Sequence, residues 1–265
     1  MVQRLNADMS GPRVVLLAHT WNSAGTREQR VGAAYPYAAY FPIVFVSSGH
    51  ALFTGPTSPY ATYRSMIEAD LARPATGELQ AWWQQDGHDV VVWATLRNAG
   101  AATLSQAANG AAFTVMVYEP IYEFPFQDPV RGAVAVPLTA PLASGATAQL
   151  QARVVTPAPI HWSQAAVVAL VDYRPSGTKG AYDVVQAARA VPAELYVAPA
   201  EIAVTVVPGA TAPVERSLEL SGPSVLTWTA TTDAPWLEID PGTGSLPAVP
   251  VVRVRTERLP SGNAA

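Results

Sequence analysis

The residues with the most chemistry to offer are tryptophans. Trp228 and Trp236 stand in the stretch VLTWTATTDAPWLEIDPGTGSLP, where a Pro-Gly-Thr-Gly turn follows them. Such a pair suits either an aromatic platform for a ligand or the core of a small β-domain. A small β-domain has few other large side chains with which to fill its interior, so core packing is the favoured reading of both. Trp228 lies in a Leu/Thr/Ala strand, and Trp236 sits between Pro235 and Leu237 at a strand start. Trp82 and Trp83, in GELQAWWQQ, pose a different question. Neighbours on a strand face opposite sides, so one ring packs inward while the other is exposed or lies at a domain contact. Trp82, Trp83 and Trp236 are therefore the binding candidates.

Catalytic patterns are weaker. Glu119 and Glu123, with Tyr118 and Tyr122 in YEPIYEF, resemble a glycosidase pair only in composition. Paired-carboxylate chemistry needs a separation of roughly 5–10 Å across a cleft, which a Pro-rich strand exit does not provide. His19, His50, His88 and His161 show no HxH or HExxH spacing, so no metal site is expected. SGTKG at 176–180 is too short for a phosphate loop, and no GxSxG motif occurs. The sequence thus implies no catalytic residue and no cofactor.

The bulk composition narrows the partners. The 265-residue chain is 49% hydrophobic and only 14% charged, which excludes a disordered polar chain. A net charge of −4, with Lys179 the single lysine and no basic cluster, argues against nucleic acid. There is no cysteine, so disulfides and thiolate chemistry are excluded. No stretch reaches the ~18 apolar residues of a membrane-spanning helix, and MVQRLNADMSGPR lacks the layout of a secretory signal.

These residues must be carried by two kinds of element. Up to Pro74 the order is α/β: a helix end at 2–10, a buried strand at Val14–Ala18, a second buried strand at Ile43–Val46 after Phe41-Pro42, and a turn at Ser47-Ser48-Gly49. In PYATYRSMIEADLA, Tyr60, Tyr63, Ile67 and Leu71 recur at helical spacing. Beyond Pro74 only strands follow, each bounded by Gly, Asn, Pro or Ser. In HDVVVWATLRNAG, Val90, Val92, Ala94 and Leu96 alternate with Val91, Trp93 and Thr95. That pattern predicts an immunoglobulin-like antiparallel sandwich, closed by a short helical piece at 180–190. From Glu194 the strands resume with more turn residues.

Two family resemblances follow. LTWTATTDAPWLEIDPGTGSLPAVPVVRVRTERLPSG resembles the BACON family of bacterial β-sandwich modules, through Trp228, Trp236, Leu237, Pro241, Gly244, Val252, Val254, Leu259 and Gly262. In that family a last strand follows the position of Gly262. Here only Asn263-Ala264-Ala265 remain, so the resemblance implies a module lacking its last strand. VVLLAHTWN…R…Y…YFPIVFVSSG…Y…MIEADLA looks like the second half of a thioredoxin-like domain of the Omp28-type envelope lipoproteins, with Pro42 at the family's cis-proline position. Ser48-Gly49 replaces the family's Asn-Gly, and the CxxC half is missing.

The expected fold is mainly β with an N-terminal α/β segment: 1–73 a partial thioredoxin-like segment, 74–193 an immunoglobulin-like sandwich, and 194–265 a BACON-like sandwich. The resemblance implies a non-catalytic cell-envelope or extracellular binding or adhesion protein, glycan-associated through the BACON-like module. Its partners would be a glycan or another envelope protein. Two alternatives stand beside it: a fragment of a thiol-disulfide oxidoreductase whose CxxC lies upstream of Met1, and a structural spacer of a surface protein.

Overall fold

The structure, a computed structural model, describes residues 43–54, 60–123, 126–127, 129–156, 160–177, 179–205, 212–223 and 226–259. The expected helix end at 2–10, the strand at Val14–Ala18, Pro42 and Gly262 lie outside these residues. The fold is mainly β. The chain divides into two compact units, Met1–Pro192 and Ala193–Ala265.

In the first unit, β1 (Ile43–Val46) and β2 (Ala51–Thr54) form an antiparallel hairpin joined by a tight turn at Ser47–Gly49. Ser47, Ser48 and Gly49 all have positive φ, a region that costs the two serines more than the glycine. Helix α1 (Tyr60–Leu71) follows and buries Tyr63 and Ile67, two of the four positions in the helical repeat. Phe53 meets Tyr63 edge to face, with ring centroids 5.2 Å apart. The expectation of a buried β1 is corrected here: Phe45 is exposed, while Val44 and Val46, which point to the opposite side, are half-buried.

Seven strands then build one sheet. They are β3 (Gly77–Asp86), β4 (Asp89–Asn98), β5 (Ala112–Tyr118), β8 (Val130–Pro137), β9 (Thr147–Val155), β10 (Ala166–Tyr173) and β11 (Asp183–Pro192). One helical turn, α2 (Gln106–Asn109), precedes β5, and a two-residue pair, β6 (Tyr122–Glu123) with β7 (Phe126–Gln127), precedes β8. The order is β8-β5-β10-β11-β3-β4-β9. Every pairing is antiparallel except β11 with β3. β11 runs beside β10 from Asp183 to Ala190, then beside β3 through Val191 and Pro192.

The sheet is folded over, since β8 and β9, at opposite ends of the order, come into contact. Gly132 permits that closure, because a Cβ there would meet the Val155 carbonyl oxygen at 2.9 Å. The two halves enclose one core. Val90, Val92, Ala94 and Leu96 from β4 meet Phe113, Val115 and Val117 from β5 and Val167, Ala169 and Val171 from β10. This is the period-two set that the sequence pattern marked on β4.

The helical piece expected at 180–190 is corrected: residues 183–192 are strand β11. The alanines favour a helix locally, but pairing to both β10 and β3 satisfies the backbone there, and tertiary context overrides the propensity. A small second core, Met116, Tyr118, Val130, Val168 and Leu170, lies on the opposite side of β5 and β10. Arg73 ties α1 to β11, bonding Asp70 at 2.7 Å and Asp183 at 3.0 Å.

The second unit holds β12 (Tyr196–Ala198), β13 (Val214–Ser217), β14 (Glu219–Ser221), β15 (Thr227–Thr229), β16 (Leu237–Asp240), β17 (Thr243–Ser245) and β18 (Val251–Val254). They pair as β13-β18-β16, β12-β14 and β15-β17. Leu220, Trp228 and Leu246 form its core cluster. Among the described residues, no helix is long and apolar enough to cross a membrane.

Candidate functional site

The outer side of β3, β4 and β9 follows directly from register. The residues between the core positions make rows across the three strands: Glu78, Arg97 and Thr147; Gln80, Thr95 and Gln149; Trp82, Trp93 and Gln151; Gln84, Val91 and Arg153. Trp82 and Trp93 are direct cross-strand partners, both half-buried. Partners of this kind stand roughly 5 Å apart at the backbone. Adjacent rows are two residues apart along the strand, about 7 Å.

One row beyond the tryptophans the surface dips. Gln84, Gln85, Asp86, Val91, Trp93, Gln151 and Arg153 line a depression of about 280 Å³, near the small end of ligand clefts. The cause is a size mismatch, since Val91 stands between the larger side chains of Trp93, Gln84 and Arg153. Its far wall is an ion-paired triad. Arg153 donates to Asp86 at 2.6 Å and to Asp89 at 2.9 Å. Those carboxylates, Asp86 first, raise the Arg153 pKa above its ordinary value and fix the guanidinium across the strand ends.

The polar groups differ in how they are used. Thr95 Oγ1 donates to Gln149 at 2.9 Å, and Arg97 pairs with Glu78 at 2.8 Å. The Gln84 and Gln151 side chains make no hydrogen bond to other described residues. Both are exposed, so each has an acceptor and two donors to offer. The face therefore combines two indoles, free amides and an ion-paired rim.

The sequence-derived residues separate in space. Trp82 is on the outer face, and Trp83 packs against the main core beside Ala81. Trp228 is buried with Leu220 and Leu246. It lies across from Gly244, where an added Cβ would come within 3.1 Å of the indole Nε1. Trp236 and Leu237 are half-buried, and the Trp236 carbonyl accepts from the Arg255 N–H at 2.7 Å. Pro42 lies outside the described residues.

Trp93 was not singled out as a binding residue, yet its signal was present. Trp82 and Trp93 are equally distant from the Gly87-His88 turn, which makes them facing partners in a two-residue hairpin.

Glu119 has its side chain fully buried. It accepts from Arg131 and from the His161 backbone N–H at 2.8 Å, and it contacts His161 Nδ1 at 2.9 Å. Burial by itself would raise its pKa, but the bonds from the His161 N–H, Arg131 and the His161 ring together hold it below the ordinary carboxylate value. Sealed in this way, the group ties β5, β8 and the segment before β10 together. The Glu123 side chain lies outside the described residues. Among the described residues no three metal-ligating side chains cluster.

No known protein-family model matches the sequence, and no curated protein matches it either. Among solved structures, the sporulation control protein Spo0M of Bacillus subtilis aligns at 12% identity and a TM-score of 0.29, covering 45% of this chain and 50% of that one. A red sea bream transglutaminase aligns at 13% identity and a TM-score of 0.24, covering 78% and 32% respectively. A GH20 exo-β-N-acetylglucosaminidase from Vibrio harveyi, in complex with N-acetylglucosamine, aligns at 11% identity and a TM-score of 0.21. This chain spans half or less of each of these proteins. Likeness at this level assigns neither family nor function.

Proposed function

We propose that the chain is a non-catalytic binding or adhesion protein of the cell envelope or extracellular space, with a glycan held on the Trp82–Trp93 face. The observation that carries this reading is the register of the two tryptophans on an outer sheet face, beside the free amides of Gln84 and Gln151. A pyranose ring has an apolar C–H side and a rim of hydroxyls. An indole face attracts the former through its quadrupole, and carboxamides exchange hydrogen bonds with the latter. The resemblance to BACON modules had placed glycan association in the second unit. The burial of Trp228 makes the first unit the better location.

The architecture of the proposal is an immunoglobulin-like sandwich followed by a BACON-like module. Support for the sandwich comes from the strand order, in which β8-β5-β10-β11 faces β3-β4-β9 and the last strand lies parallel to the first. Support for the module comes from Trp228 over Gly244 and from Leu237 and Ile239 paired with Val254 and Val252. The hairpin β1-β2 followed by α1 accords with the end of a thioredoxin-like fold.

The test is a glycan array probed with the full chain and with Trp82→Ala and Trp93→Ala. The expected outcome is binding that either substitution reduces at least about tenfold, a loss worth some 1.4 kcal/mol. Absence of binding across the array, or binding that neither substitution alters, would overturn the reading and favour a spacer.

A further inference from the structure

Resting on that reading, we infer that the ligand is a neutral, unsulfated glycan. One sugar ring sits in the depression over Val91, against Trp93, and the Asp86–Arg153–Asp89 triad excludes acidic sugars. The argument starts from what Arg153 can still do. A free arginine on a sheet face would invite a uronate or sulfate, because its planar fork matches both. Here two guanidinium nitrogens are already committed, Nη2 to Asp86 and Nη1 to Asp89. One positive and two negative groups leave the rim with a net negative charge. The pairing takes two of the five guanidinium N–H donors, so an anionic sugar entering the depression could still reach Arg153, but it would meet two carboxylates beside one guanidinium and be repelled on balance.

A neutral ring meets no such conflict. The Asp86 and Asp89 oxygens remain acceptors with capacity beyond their bond to Arg153, and hydroxyls are donors. Gln84 and Gln151 flank the depression from β3 and β9 and offer the donors that the carboxylates lack. Val91 is 7% exposed and forms an apolar floor. Trp93 supplies the stacking wall, and Trp82 sits beside it in the same row. The depression lies one row from the tryptophans, about 7 Å along the strand, so a second ring can rest on the Trp82–Trp93 row while the first occupies the depression. The rim is thus built to select by charge, and the aromatic row to grip whatever neutral chain passes that filter.

The experiment is calorimetric titration of the full chain with two oligosaccharide sets matched in length. One is neutral (cello-, xylo- and chito-oligomers) and the other acidic (oligogalacturonates), each at low and high salt. Expected is binding of at least one neutral oligomer with an affinity that salt does not change, because no charge pairs with the ligand, and no binding of the acidic set. The double variant Asp86→Asn with Asp89→Asn frees Arg153. It should gain affinity for oligogalacturonate at least about tenfold, and added salt should weaken that new binding. Circular dichroism of the variant confirms that it is folded, and the single variant Asp86→Asn provides the same comparison with one carboxylate retained. Preferential binding of the acidic set by the unmodified chain would overturn the charge filter while leaving glycan binding intact. An unchanged ratio in the double variant would overturn it equally. Failure of both sets to bind would overturn the glycan reading itself.

Discussion

The folded sheet of the first unit has two outer sides, and they are opposite in character. On β5 and β10 the outward residues Met116, Tyr118, Val168 and Leu170 are at most 5% exposed. On β3, β4 and β9 the corresponding positions hold Trp82, Trp93, Gln84, Gln151 and Arg153, with exposed or half-buried side chains. Both sides carry large aromatics, so size does not separate them. What separates them is access to water. On the covered side the Tyr118 hydroxyl bonds Arg189 at 3.0 Å, but the Thr114 hydroxyl is buried with no hydrogen-bond partner among the described residues, a cost that the packing there offsets. On the open side the Gln84 and Gln151 amides have no described partner either, and exposure removes that cost.

The comparison can be broken most forcefully on the covered side. Leu170→Ala should cost about 2–5 kcal/mol of unfolding free energy, the usual penalty for a buried leucine whose cavity does not collapse. Urea unfolding followed by tryptophan fluorescence measures it. A loss below about 1 kcal/mol would show that this side is not packed as a core.

Charge gives a second, smaller contrast. Both sides hold an arginine–carboxylate cluster, but Glu119 is fully buried while Asp86 and Arg153 are 60% and 51% exposed. The Glu119 pKa lies below its ordinary 4.5 in the folded state. Its contribution to stability is therefore complete above that value and is lost as pH falls through the lower folded one. Unfolding free energy measured between about pH 5 and pH 3 should decline for the parent chain, and the slope should flatten in Glu119→Gln. At neutral pH the same variant should lose about 1–3 kcal/mol, discounted because Arg131 reaches water. Asp86→Asn should leave stability unaltered at both pH values, since exposed pairs of this kind are largely screened. Equal pH slopes for the parent chain and Glu119→Gln would dissolve the contrast.

How much of this was legible in sequence depends on where the signal resides. The β4 core face was readable because Val90, Val92, Ala94 and Leu96 alternate strictly, and period two leaves no other assignment. β11 was misread because QAARA carries helix-forming alanines, and nothing local reveals that Val191 and Pro192 pair with Trp82 and Trp83. Long-range pairing is invisible to local propensity. Trp82 was recognisable as one of two adjacent rings on opposite sides, although which one faces outward required the register. The depression over Val91 was beyond reach, because it arises from three strands and needs Arg153 brought beside Asp86 from far along the chain.

The smallest effect on stability provides the sharpest view of the open side. Gln151→Ala removes an exposed amide with no described partner, so unfolding free energy should change by no more than about 0.5 kcal/mol. Yet Gln151 borders both the Trp82–Trp93 row and the depression, so affinity for a neutral oligosaccharide should drop several-fold. Gln149, one row away, already accepts from Thr95 and provides the matched control. Its alanine variant should bind with near-parental affinity while losing the Thr95 bond. If both variants behaved alike, the free amide would confer nothing that the occupied one lacks. The distinction between an open face that recognises and an open face that is merely solvated would then rest on the tryptophans alone.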